Sequence, residues 1–144
     1  MFTEAPAAPV LEDRATEALQ GGVVRTVVLT AAGLFFTGMG LYALAAPARL
    51  VRPFGIAVGT TPGRSEVRAV YGGFGLAVAA ALFWSATTTG DLGRGVVLAV
   101  AVALAGMAAG RVISRVFDAP AAFYPTWFYF WVETLAAAAL LTVN

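Results

Sequence analysis

Residues 95–116 read GVVLAVAVALAGMAAGRVISRV. The run is apolar up to Arg111, and its length is near the ~20 residues a helix needs to cross a hydrocarbon core of about 30 Å. A core helix of a soluble protein can be this apolar, so the reading turns on whether the run stands alone. It does not: residues 24–46, 67–86 and 121–143 are comparable runs in a chain of 144 residues. Four such segments in succession cannot all be interior, and only short connections remain between them. A spanning segment must satisfy its own backbone groups. The predicted fold class is therefore all-α, an integral membrane four-helix bundle over residues 23–144. A tail over residues 1–22, with a short N-terminal interfacial helix, precedes it.

Composition points the same way. Hydrophobic residues make up 60% of the chain and charged residues only 12%, against about 25% charged in a typical soluble domain. A chain so poor in charge cannot cover itself with polar surface, and lipid is the apolar medium that fits. There is no cysteine and no histidine, which excludes disulfides, thiolate chemistry and zinc–thiolate or Fe–S sites. The commonest general base and the usual ligand of haem or catalytic zinc are missing too. All nine basic residues are arginine, so a lysine Schiff base is excluded. Ser85, Ser114 and the hydroxyls of Thr87–Thr89 have no His or Lys to activate them. An enzyme with its own nucleophile is not expected, nor is a metal or covalently bound cofactor. The net charge of +1, without a basic run, gives no basis for nucleic-acid binding.

Local signals mark the segment ends. In the tail, TEAPAAP reads as an extended lead, and Leu11, Ala15, Ala18 and Leu19 fall on one helical face that stops at Gly21-Gly22. A secretory signal peptide does not fit this order of charge and apolarity. Pro47 ends the first span. Ser65 is placed to cap the second, with Glu66 in its first turn, and Asp91 to cap the third. Asp118 with Pro120, or the Pro125-Thr126 pair, begins the fourth. Interfacial aromatics are expected at Trp84, Tyr124, Trp127, Tyr129 and Trp131, because Trp and Tyr favour the headgroup level. Small residues at helical spacing predict close helix packing: Ala69, Gly73, Ala77 and Ala81 on the second span, Gly106 and Gly110 on the third.

The connections at one end hold Arg49, Arg52, Arg64, Arg68, Arg111 and Arg115. The other end holds Arg14, Arg25 and Arg94. The basic end reads as cytoplasmic, which puts both termini in the periplasm of a multi-pass protein of a bacterial inner membrane.

Within the apolar stretch FYFWVETLAAAALL, residues 128–141, stands Glu133. If the span starts near Tyr124, the carboxylate lies roughly 13 Å deep at 1.5 Å per residue, where it is costly unless paired or protonated. Arg111 and Arg68 approach from the same end, and a guanidinium offers a two-pronged fork. The expected cluster is Glu133 with Arg111, Arg68 or both, with Glu66 at its outer edge and Tyr71 donating a hydroxyl. It is read as a clamp between helices, with a ligand or proton site as the competing reading.

At SEVRAVYGGFGLAVA, residues 65–79, the chain resembles a family of small bacterial membrane proteins, the domain of unknown function 4345. The resemblance runs over about residues 27–142. It rests on Glu66, Arg68, Ala69, Tyr71, Gly72 and Gly73, on Gly110-Arg111, on Glu133 and on the stretch LYALAAPARLVRPFGI. It implies a four-helix membrane bundle similar to the DoxX-like proteins, groups Arg68, Tyr71, Arg111 and Glu133, and implies no activity. The functional expectation is a non-catalytic subunit packed on a larger bacterial membrane complex, photosynthetic or respiratory, in contact with lipid and other membrane subunits. The alternative is a protein that binds or transports a small molecule, a quinone, lipid or proton-linked substrate, at the Arg/Glu cluster. The bound molecules expected at its surface are lipid, quinone or pigment.

Overall fold

The computed structural model describes residues 8–120 and 122–144. The lead up to residue 7, the side chains of residues 8–11 (Leu11 among them) and of Ala15, and residue 121 lie outside the described residues. All described secondary structure is helical. Helix α1 spans Ala8–Ala45, α2 Pro47–Val51, α3 Thr61–Val67, α4 Phe74–Thr87, α5 Asp91–Phe117 and α6 Phe128–Thr142. Three helical stretches, Glu12–Ala45, Thr61–Thr87 and Asp91–Phe117, are long and apolar enough to cross a membrane. The last expected span is divided: a short segment, Phe123–Trp127, kinked where Tyr124 leaves the helical region (φ −99°, ψ 135°), leads into α6, whose 15 residues rise only about 22 Å.

The helix starts differ from those the sequence suggested, each for a local reason. No break occurs at Gly21-Gly22, so the tail helix and the first span are one rod. A helical glycine costs about 1 kcal/mol relative to alanine, but it keeps its N–H. No proline stands between Pro9 and Pro47 to interrupt the bonding. The second rod begins at Thr61, not at Ser65: Thr60 accepts a hydrogen bond from the Gly63 N–H at 3.2 Å, and Pro62 sits in the first turn, where its missing N–H costs nothing. Asp91 does not cap α5. It is the first helical residue, and the chain enters through Gly90 at φ +125°, a conformation L side chains rarely adopt.

Between α3 and α4 the rod stays helical but widens into a π-turn over Arg68–Gly73. Such a turn inserts one residue into the helical register. The buried positions accordingly jump from Val67 by five to Gly72, then continue at Gly75, Ala79, Leu82 and Ser85. The expected ladder is therefore turned away from the interior: Ala69, Gly73 and Ala77 are exposed, and Ala81 is half-buried. The close approach is made by glycines the ladder missed. A Cβ on Gly40 of α1 meets Leu76 Cγ at 2.9 Å and the Gly72 carbonyl oxygen at 3.1 Å, and one on Gly72 meets Leu44 Cδ2 at 2.6 Å. The two backbones come together because neither residue has a side chain.

Helix α1 packs on α4, α4 on α5, and α5 on α6. Leu29, Leu82, Val97, Ala101, Leu104, Ala137 and Leu140 form the shared core. The outer faces carry equally apolar side chains, among them Leu34, Leu41, Val102, Met107, Val116 and Leu135. Arg25 joins α1 to the far end of α4, donating to the Ser85 carbonyl at 2.8 Å, one of the last-turn carbonyls that a helix leaves unpaired.

Candidate functional site: the Arg111–Glu133 clamp and the basic end

Glu133 enters the site because α6 becomes regular only at Phe128. The carboxylate thus lies five residues into the helix, about 8 Å at 1.5 Å per residue, shallower than a start at Tyr124 implies. It faces α5 and is buried, with the side chain 5% exposed. Arg111, in the penultimate turns of α5, meets it with its fork: Nε donates to Oε2 at 2.8 Å and Nη2 to Oε1 at 2.7 Å. Two parallel charge-assisted bonds hold both oxygens in one plane with the guanidinium.

Two rings close the outer side. The Arg111 Cζ lies 5.8 Å from the Phe54 ring centre and 5.6 Å from that of Tyr129, within the range of a cation–π contact. The two rings are themselves 5.4 Å apart. Phe54 ends a short 3-10 turn, Arg52–Phe54, that follows α2. The first connection therefore folds back over the α5–α6 end. Sequence reasoning passed over Phe54, and the signal was only its position among the arginines of that loop.

The other members of the expected cluster make no hydrogen bond to this pair among the described residues. Arg68 does not reach Glu133: its Nε donates to the Leu44 carbonyl at 2.9 Å, capping the end of α1. The π-turn sets this aim. Glu66 is exposed, and Tyr71 is 37% exposed. Neither makes a side-chain hydrogen bond among the described residues, and the Arg111–Glu133 contact is the one salt bridge among them. The motif around Arg68 and Gly72 therefore builds a joint between α1 and the second rod. No group of three or more carboxylates able to hold a metal ion occurs among the described residues.

Gly106 and Gly110 also differ from expectation. Both are exposed on α5, and a Cβ at either meets nothing within 4 Å among the described residues, so they pack none of the described helices. Of the aromatics, Trp84 is exposed in the last turn of α4, while Tyr124 and Trp131 are exposed at the α6 end. Trp127 packs edge-on to Phe130 at 5.5 Å, and Tyr129 is half-buried against Phe54.

Two clefts open at the basic end. One, of about 420 Å³, is lined by Tyr42, Arg49, Arg52, Pro53 and Tyr124. The other, of about 230 Å³, lies beside the clamp and is lined by Arg111, Ser114, Arg115, Asp118, Ala119, Thr126 and Trp127.

Residues 24–143 match the family described as Domain of unknown function (DUF4345). The chain belongs to this family. In this DUF4345 protein the matched residues run from the helix ahead of Arg25 to the end of α6 and hold the clamp, the joint and both clefts. No curated protein matches the chain, and no solved structure matches it.

Proposed function

We propose that the protein is a four-span integral membrane subunit without catalytic activity, packing on a larger bacterial membrane complex, photosynthetic or respiratory, and aiding its assembly or stability. The carrying observation is the closure of the Arg111–Glu133 pair: both carboxylate oxygens are engaged and the acid is buried. A charge neutralised in this way fixes how helices meet and leaves the buried acid itself engaged rather than free. The apolar exterior supports burial in lipid of the three long rods, with the Phe123–Trp127 turn and α6 as the fourth crossing. The first connection and the α5–α6 connection share the arginine-rich end. In the proposed topology that end faces the cytoplasm of an inner membrane and both termini face the periplasm. Exposed Gly106 and Gly110 supply a face on which a partner helix can approach closely.

The test is purification in mild detergent with mass spectrometry of co-eluting chains. A stoichiometric membrane partner is the expected result; a solitary, monodisperse chain overturns the subunit reading. Labelling of single cysteines in intact cells tests topology, and a protected residue 3 overturns it.

A second reading, a binding or transport protein for a quinone, lipid or proton-linked molecule, is favoured by the cleft beside Arg111. The relation to DoxX-like proteins adds only a fold-level analogy to either reading.

A further inference from the structure

The arginines at the basic end are not equivalent. Arg111 is spent on Glu133. Arg68 donates to the Leu44 carbonyl, Arg64 to the Gly59 carbonyl and the Thr61 hydroxyl, and Arg115 to the Asp118 carbonyl. Arg49 and Arg52 make no hydrogen bond or ion pair among the described residues, and both are exposed. They stand three residues apart where α2 passes into the Arg52–Phe54 turn, so they share one helical face. That face opens on the 420 Å³ cleft, whose other walls are Tyr42, Pro53 and Tyr124.

The chemistry of this lining is one-sided. Two guanidiniums only donate hydrogen bonds, two phenols can donate or accept, and among the described residues no carboxylate lines the cleft. A cation would meet two guanidiniums of its own sign and no carboxylate among the described residues. An oxyanion with several acceptor oxygens fits, and the guanidinium fork matches phosphate in particular. The tyrosine rings and Pro53 give the same cleft apolar walls, the mixed character of the headgroup level.

We propose that the cleft between Arg49 and Arg52 is a binding site for a phosphate-bearing anion, presented either as an anionic lipid headgroup or as free phosphate. The lipid source rests on the membrane reading above; the phosphate chemistry does not.

The full chain in mild detergent, mixed with phosphatidylglycerol or phosphatidylcholine and followed by native mass spectrometry of retained lipid, tests the proposal. Phosphatidylglycerol is expected to be retained at least about tenfold more strongly, since each arginine near an anionic headgroup adds to its hold. The Arg49→Gln/Arg52→Gln double variant should lose that preference. Arg94→Gln, at the opposite end, should keep it. All three replaced side chains are exposed and make no hydrogen bond or ion pair among the described residues, so the variants should melt with the parent. Inorganic phosphate is the second arm. If it raises the melting temperature of the parent and not of the double variant, free phosphate is the ligand. If it does nothing while the lipid preference holds, the ligand is the lipid. Equal retention of the two lipids with no phosphate effect, or an undiminished preference in the double variant, overturns the site. A parent chain that stays monodisperse in plain buffer and does not float with vesicles fails the membrane reading instead, and with it the lipid source.

Discussion

Arg111 on α5 and Glu133 on α6 are joined by two hydrogen bonds, of 2.8 and 2.7 Å, beneath the rings of Phe54 and Tyr129. One contact thus ties three parts of the chain, because Phe54 belongs to the first connection.

Removing one partner strands the other. Glu133→Gln should lower stability by about 3 kcal/mol, the low end of the cost of breaking a buried pair, since Arg111 retains some access to solvent. Arg111→Lys keeps the charge but loses the fork and should fall between. Replacing both by apolar residues of similar volume should recover much of the loss. Melting in detergent checks the series; a Glu133→Gln protein that melts like the parent removes the structural role of the clamp.

Gly40→Ala sets a methyl 3.1 Å from the Gly72 carbonyl oxygen, and backbone cannot yield as a side-chain tip can. The crossing of α1 and α4 should open at a cost of about 1–3 kcal/mol. Gly110→Ala meets nothing and should leave the isolated chain as stable or up to about 1 kcal/mol more so. If the same substitution weakens recovery of a co-purifying partner, the α5 face is where that partner sits.

Ser85 is fully buried, and its hydroxyl and the buried hydroxyl of half-buried Thr134 have no hydrogen-bond partner among the described residues. Ser85→Ala and Thr134→Val remove an unpaired polar group and should be neutral or stabilising by about 1 kcal/mol. Clear destabilisation in a thermal melt would show that these hydroxyls are engaged in the folded protein.

Arg25→Gln withdraws the donor that serves the Ser85 carbonyl. A loss of about 1–2 kcal/mol is expected. The end of α4 should also exchange its amide hydrogens faster, whereas α6 should not.

Apolar run length gave the all-helical class and the approximate rods, because a rule of ~20 residues needs no knowledge of neighbours. Charge and depth alone narrowed the partner of Glu133 to Arg111, Arg68 or both, because few charges lie in the apolar stretches and these share one end; the structure selects Arg111. Arg68 could not be placed in this way, nor could the packing face of the second rod. Both depend on the π-turn, which neither composition nor an every-fourth count reveals. The true start of that rod was hidden by Ser65-Glu66, a plausible cap that lies inside the helix, four residues past the Thr60–Pro62 start. Gly106 and Gly110 show the converse limit. Their spacing announces a close approach, but a single chain cannot say to whom.

The wide turn at Arg68–Gly73 acts as a phase shifter. Wound without it, the same residues would bring Arg68 about 100° further round the axis, away from the Leu44 carbonyl it now serves. Deleting one residue there, rather than mutating any, is the change that would set the two halves of the rod out of step.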